Sequence, residues 1–218
     1  MYFKNRTEAG LLLAKAIVPK YRYENCAVVA LSDGGVVIAS NLATQLHCVL
    51  MMLLTEQINL PGEPAAVGTI DQSGGFTYNG KYSTGQLEDL ESEYRNYIEQ
   101  QKLEKLHGMN SLLGSGGIID PDLLRGHNVI VVSDGLSTGL SLDAAVAYLK
   151  PYKLEKLIVA TPLASVGAVD RMHLLADDIF CLDVVENYVE TNHYYDDNTL
   201  PPHDKIIHII KDIILKWQ

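Results

Sequence analysis

The residues best suited to do chemistry fall in one run, Asn128-Val-Ile-Val-Val-Ser-Asp-Gly-Leu-Ser-Thr-Gly-Leu-Ser141. An apolar stretch delivers an acid, Asp134, to its end. Two glycines, Gly135 and Gly139, and the hydroxyls of Ser137, Thr138 and Ser141 follow. Backbone N–H groups in such a turn, and in the first turn of the helix after it, converge on one spot that the helix dipole makes positive. That spot is an anion cradle. Asp134 can accept hydrogen bonds from two vicinal hydroxyls. A sugar-hydroxyl acceptor beside a phosphate cradle describes a ribose 5-phosphate site, with Ser133 and Leu140 as flanking contacts. Two other readings use the same residues. One is a plain strand-to-helix turn capped by Ser141. The other is a nucleophile elbow, since Gly135-Leu-Ser-Thr-Gly139 fits Gly-x-Ser-x-Gly. Ser137 would then be the nucleophile, with Asp183 and His193 or His203 following in α/β-hydrolase order. Ser133 and Asp134 stand between the apolar run and the first glycine, which suits a sugar-phosphate loop better than an elbow.

The surrounding pattern supplies the scaffold. Arg6 to Val18 has Leu and Ala at helical spacing and ends at Pro19. Cys26 to Leu31 is a short continuous apolar run, the mark of a strand buried on both faces. Ser32-Asp-Gly-Gly35 reads as a tight turn, Val36 to Leu46 as a helix and His47 to Leu54 as another buried strand. Ala65 to Ile70 and Phe76 to Tyr78 read as short strands. Gln86 to His107 reads as a long charged helix with a narrow apolar stripe, and Gly108 to Gly117 as a mobile glycine-rich stretch. Asn128 to Val132, Lys156 to Ala160 and Asp178 to Leu182 read as strands. Leu142 to Leu149, Val166 to Leu175 and His203 to Trp217 read as helices. Such alternation predicts an α/β fold, a parallel sheet flanked by helices, Rossmann-like in character. Ligands in such sheets bind at the carboxyl ends of strands, which singles out the loops after Leu31 and Val132.

Bulk properties restrict the partners. The chain has 218 residues and a formal net charge of −10, which disfavours nucleic acid and anionic membranes. No apolar run reaches the ~18 residues that span a bilayer, and Met1 to Glu8 is polar, so a cytoplasmic protein is expected. Cys26, Cys48 and Cys181 sit in or beside apolar runs without metal-ligand spacing and read as small buried residues. No metal-binding side-chain set is expected. His203 and His208 read as members of a solvated helix face. Asn192-His-Tyr-Tyr-Asp-Asp-Asn198 reads either as a surface loop or as an aromatic and acidic hood over a base.

The run around Asp134 resembles the phosphoribosyl pyrophosphate motif of type I phosphoribosyltransferases. It is closest to a bacterial branch with Asp-Asp-Gly-x-Ala-Thr-Gly-x-Thr. Other segments are similar to that branch: Phe3 with Asn5-Arg-Thr-Glu-Ala-Gly10, Leu31-Ser-Asp-Gly-Gly-Val36, Pro61-Gly-Glu-Pro64 with Val67-Gly68, and Tyr194-Tyr-Asp196. The resemblance implies a single phosphoribosyltransferase-like domain over residues 1–218, with an insert near 71–117 and a C-terminal hood and helix near 183–218. It implies Asp134 as the catalytic acid, a pyrophosphate loop at Asp33, Gly34 and Gly35, Mg²⁺ arriving with phosphoribosyl pyrophosphate, and a homodimer. Its chemistry displaces pyrophosphate with a nitrogen nucleophile through an oxocarbenium-like transition state.

Three positions depart from the motif. Ser133 replaces the first acid, Asp33 stands where a basic residue faces pyrophosphate, either repelling it or serving as a ligand to bound Mg²⁺, and Glu56-Gln57 replaces a basic pair. Each removes positive charge or a carboxylate that the transfer uses. Lys81, Lys102 and Lys105 are the nearby candidates to restore positive charge. Two functions follow: a phosphoribosyltransferase, or a catalytically degenerate protein that binds a nucleotide as a regulatory or assembly subunit.

Overall fold

The computed structural model describes residues 2–113 and 119–215. The chain divides into two compact units. The first comprises Met1–Leu53, Ser115–Gly139 and Tyr152–Gln218; the second comprises Leu54–Gly114 and Leu140–Pro151.

The first unit is built on a five-stranded sheet. In chain order it contains helix α1 (Arg6–Tyr21), strand β1 (Cys26–Ala30), helix α2 (Asp33–Leu46) and strand β2 (Val49–Met52). The second unit contributes β3 (Thr55–Ile58), β4 (Gly68–Asp71), β5 (Phe76–Tyr78) and α3 (Thr84–Leu113) next. Then come β6 (Asn128–Val132) in the first unit, α4 (Leu140–Leu149) in the second, and β7 (Lys156–Ser165), α5 (Val166–Leu175), β8 (Asp178–Val185) and α6 (His203–Leu215) in the first. The parallel sheet has the order β2-β1-β6-β7-β8. All residues of β1 and β6 are buried, and all but Asn128 at the start of β6 are β-branched or apolar, as strands covered on both faces require. The crossovers through α2 and α5 run in opposite directions along the sheet, so right-handed connection sends these helices to opposite faces. On α1, Arg6, Ala9, Gly10, Leu13, Ala14 and Ile17 form the buried face, a helical repeat with one charged member.

Strand order reverses between β1 and β6, whose last residues, Ala30 and Val132, are register partners. This is the topological switch point of the sheet. The loops after Leu31 and Val132 therefore leave the sheet side by side.

The second unit holds an antiparallel sheet, β3-β4-β5. Ile58, Leu60, Val67, Leu90 and Ile98 form its core, with Phe76, Tyr82, Leu87 and Tyr94 packed against them.

Several sequence expectations are corrected. Helix α1 continues through Pro19 to Tyr21. The proline is exposed and lies in the last turn of the helix, so the hydrogen bond its missing N–H cannot donate is lost on the exposed side. Ser32-Asp-Gly-Gly35 is no separate turn: Ser32 is the N-cap of α2, and Asp33, Gly34 and Gly35 are its first turn. Strand β7 runs on to Ser165 through Pro162 because β8 continues to pair with it from Leu163 to Ser165. β6 has already ended opposite Ala160, so the missing proline N–H breaks no interior ladder there. Strand β3 is polar apart from Ile58 and has no apolar signature. Helix α3 extends through Gly108 to Leu113. The expected mobile run at 114–117 lies outside the described residues. Among those residues, no helix is long and apolar enough to cross a membrane.

Candidate functional site

The loop after β6 begins with Ser133, whose hydroxyl donates to the Gly135 carbonyl at 2.9 Å and accepts from the Gly135 N–H at 3.3 Å. The side chain that replaces the first acid of the motif thus closes the loop on itself, and it is buried.

Asp134 is held from three directions. Arg6 donates from Nε to Oδ2 at 2.8 Å, and Ser32 donates from Oγ to Oδ1 at 2.8 Å. The Tyr195 hydroxyl donates to the Asp134 backbone carbonyl at 2.7 Å. Ser32 Oγ also accepts from the Gly35 N–H at 2.9 Å, so the cap of α2 and the motif acid are one hydrogen-bonded chain. The two loops at the switch point are thereby tied together. Gly34 is required by this contact: a Cβ there would collide with the Asp134 carboxylate and the Arg6 guanidinium.

Arg6 is buried and further anchored. Its Nη2 donates to Asn192 Oδ1 at 2.7 Å, and its guanidinium lies 4.5 Å from the centre of the Tyr195 ring. The 192–198 segment is strapped to the N-terminus: the Phe3 N–H donates to the Tyr194 carbonyl, and the Asp196 N–H to the Phe3 carbonyl. Burial first, and then the Asp134 charge, pushes the Tyr195 hydroxyl above the ordinary phenol range. Tyr194 and Tyr195 are both buried and pack in the interior, whereas Asn192, His193, Asp196, Asp197 and Asn198 are exposed, as the surface-loop reading expects.

Farther along the loop, Gly135 packs closely under the Tyr188 hydroxyl and the Thr191 methyl. Burial pushes Tyr188 up to about 12. Leu136 bridges to Ala164 beyond the end of β6, and the Ser137 carbonyl accepts from Ser165 Oγ at 2.6 Å. Gly139 has φ 77°, a left-handed conformation that favours glycine, and ends this unit's share of the loop. Leu140 and Ser141 are the first residues of α4. Asp33 meets His203, the first residue of α6, whose Nδ1 lies 2.9 and 3.1 Å from its two carboxylate oxygens. The expectation that His203 belongs to a solvated face is therefore corrected; His208 is exposed as expected.

The geometry brings together Ser133, Asp134, Gly135, Asp33, Gly34 and Gly35. It adds Arg6, to which the sequence gave no site role, and Asn192, Tyr195 and His203 in roles other than the hood and triad roles the sequence suggested for them. Arg6 had a readable signal, being the one charge in phase with the apolar face of α1. The hydrolase triad is not assembled, because His203 holds Asp33 while His193 Nε2 pairs with the Tyr2 hydroxyl at 3.0 Å. Lys102 and Lys105 pair with Glu99 and Glu56 inside the second unit, so their charge is already engaged. A protein-held Mg²⁺ does not fit these donors. Both Asp134 oxygens already accept hydrogen bonds, and no group of three or more candidate ligands occurs among the described residues.

Residues 7–198 match the phosphoribosyl transferase domain family. A Mycobacterium tuberculosis (strain H37Rv) protein named provisionally as a phosphoribosyl transferase is 25% identical over 206 residues, 94% of this chain and 45% of that protein. The chain thus spans about half the length of the curated relatives it matches. The solved structure of TT1426 from Thermus thermophilus is 25% identical with a TM-score of 0.74, covering 97% of this chain and 99% of that one. The AQ2163 structure from Aquifex aeolicus is similar in fold alone, at 11% identity and a TM-score of 0.52, over 85% of this chain and 77% of that one. The match over residues 7–198 makes this chain a member of the phosphoribosyl transferase domain family.

Proposed function

We propose that this domain binds a ribose 5-phosphate-bearing ligand, a nucleotide or phosphoribosyl pyrophosphate, at the loop from Ser133 to Gly139, and that it is a poor catalyst of pyrophosphate displacement. The phosphate rests on the loop amides that lead to Gly139. The ribose lies toward Asp134. The observation that carries the second half of the reading is the double engagement of the Asp134 carboxylate by Arg6 Nε and Ser32 Oγ, each at 2.8 Å. An acid whose two oxygens are already donated to, with a side chain only 13% exposed, is a weak acceptor for ribose hydroxyls. Ser133 offers no carboxylate, and its hydroxyl is spent on Gly135. A transition state that spreads positive charge over the ribose ring gains most from free carboxylate oxygens nearby, and both sources are missing. Mg²⁺, in this reading, comes with the diphosphate rather than with the protein.

The test is calorimetric titration of ribose 5-phosphate, nucleoside 5′-monophosphates and phosphoribosyl pyrophosphate with Mg²⁺, alongside a pyrophosphate-release assay with purine and pyrimidine bases. Saturable one-to-one binding with turnover far below the ~10 s⁻¹ typical of enzymes is expected. Turnover near that value would overturn the assignment of weak catalysis. No binding of any phosphate-bearing ligand would overturn the site.

A further inference from the structure

Asp33 is an anion in the loop where a diphosphate is expected to lie, and it is the only titratable side chain of α2. His203 covers both of its oxygens, at 2.9 and 3.1 Å from Nδ1. An imidazole nitrogen facing a carboxylate carries the proton. The other nitrogen, Nε2, is buried without a hydrogen-bond partner. β2, which also packs on α6, has no titratable group. On α6 itself Asp204, Lys205, His208, Lys211 and Asp212 are exposed. The adjoining Arg6 and Asp134 are paired with each other. The charge of this loop is therefore set by the Asp33–His203 pair: −1 with a neutral ring and zero with a protonated one.

We infer that His203 is a positioning residue for an anionic ligand: protonated, it cancels Asp33 and lets the loop at Ser32–Gly35 accept a diphosphate. This inference rests on the ribose-phosphate reading above. Repulsion between Asp33 and a diphosphate is relieved only in the protonated pair, so binding takes up a proton, and by linkage a bound diphosphate favours protonation of His203. The basic residue absent from this loop is replaced by a histidine from 170 residues away.

Calorimetry of inorganic diphosphate and of ribose 5-phosphate at pH 6 and pH 8 tests this, using wild type, Asp33→Asn and His203→Gln. Two buffers of different ionisation enthalpy count the protons taken up. Titration of the diphosphate itself is common to all three proteins and cancels between them. His203→Gln should bind diphosphate about tenfold more weakly than wild type at pH 6 and equally at pH 8. Asp33→Asn should bind it about tenfold more tightly than wild type at pH 8, without the wild-type proton uptake. Opposite movements in two variants cannot come from a shared loss of folding. Ribose 5-phosphate affinity should be the same in all three. Equal diphosphate affinities and equal proton uptake, with ribose 5-phosphate still bound, would overturn this inference alone. Failure of wild type to bind ribose 5-phosphate would overturn the underlying reading and this inference with it.

Discussion

Arg6 and Asp134, 128 residues apart, meet in a 2.8 Å ion pair with side chains 4% and 13% exposed. Arg6 is the first residue of α1, where the helix dipole disfavours a cation. The pair thus offsets an unfavourable position for the arginine and a buried position for the acid. It also joins the N-terminal helix to the motif loop, with Ser32 completing the link to α2.

Removing one partner should expose this dependence. Arg6→Leu leaves a buried carboxylate with one remaining side-chain donor and should destabilise the domain by about 3–5 kcal/mol in denaturant unfolding. Arg6→Lys should recover only part of that, because an ammonium cannot reach Asp134 and Asn192 with one planar fork. The double variant Arg6→Leu with Asp134→Asn should be less destabilised than the sum of the single changes, and additive losses would show that the pair is not coupled.

Tyr195→Phe keeps the ring between Arg6 and Phe3 but removes the 2.7 Å bond to the Asp134 carbonyl. It should cost about 1–2 kcal/mol. Tyr195→Ala should cost substantially more through lost packing, about 3–5 kcal/mol. Equal effects of the two changes would mean that the ring contributes nothing to the strap.

Acid stability has a local contributor at β8. The hydrogen bond from Lys20, and then that from Tyr21, hold the Asp178 carboxyl below the ordinary carboxylate range. A depressed folded-state value means that the unfolded chain binds the proton more readily. This stabilisation is therefore complete above the unfolded value of about 3.9 and fades as pH falls through the folded value. Asp178→Asn should be less stable than wild type at pH 7, and the gap should close below about pH 4 in unfolding curves taken across pH. A gap that stays constant to pH 2 would contradict the assignment.

The thiols should be inert in the native protein. Burial, and then the Glu24 charge, pushes Cys26 up to about 11, and burial raises Cys48 and Cys181 as well. At pH 8 a thiol reagent should react slowly until denaturant is added, with the half-buried Cys181 leading, because the thiolate is the reactive form. Immediate labelling of Cys26 would show that its strand opens readily.

The parallel sheet was readable because β1 is an unbroken apolar run and β6 is one after its first residue, Asn128, and the switch-point loops followed from their order. β3 was unreadable because Thr55, Glu56 and Gln57 have no apolar signature; its pairing with β4 is decided by the antiparallel sheet as a whole. Within the site, Asp134 and its glycines were legible from local spacing. The pairings made by Arg6, Tyr195 and His203 were not, since these residues arrive from distant segments; the phase of α1 marks Arg6 as buried, but no local pattern encodes which residue it meets. The anionic character of Asp33 was visible, but its compensation by His203 required the docking of α6 on α2. The tyrosines at 194 and 195 had the composition of a ligand surface and turned out to be interior packing.

Hydrogen–deuterium exchange with and without ribose 5-phosphate tests the central claim most directly. The account predicts added protection at the amides from Gly135 to Gly139, with little change in α3. Protection absent from this loop while the ligand is bound elsewhere, or no change anywhere at saturating ligand, would contradict it.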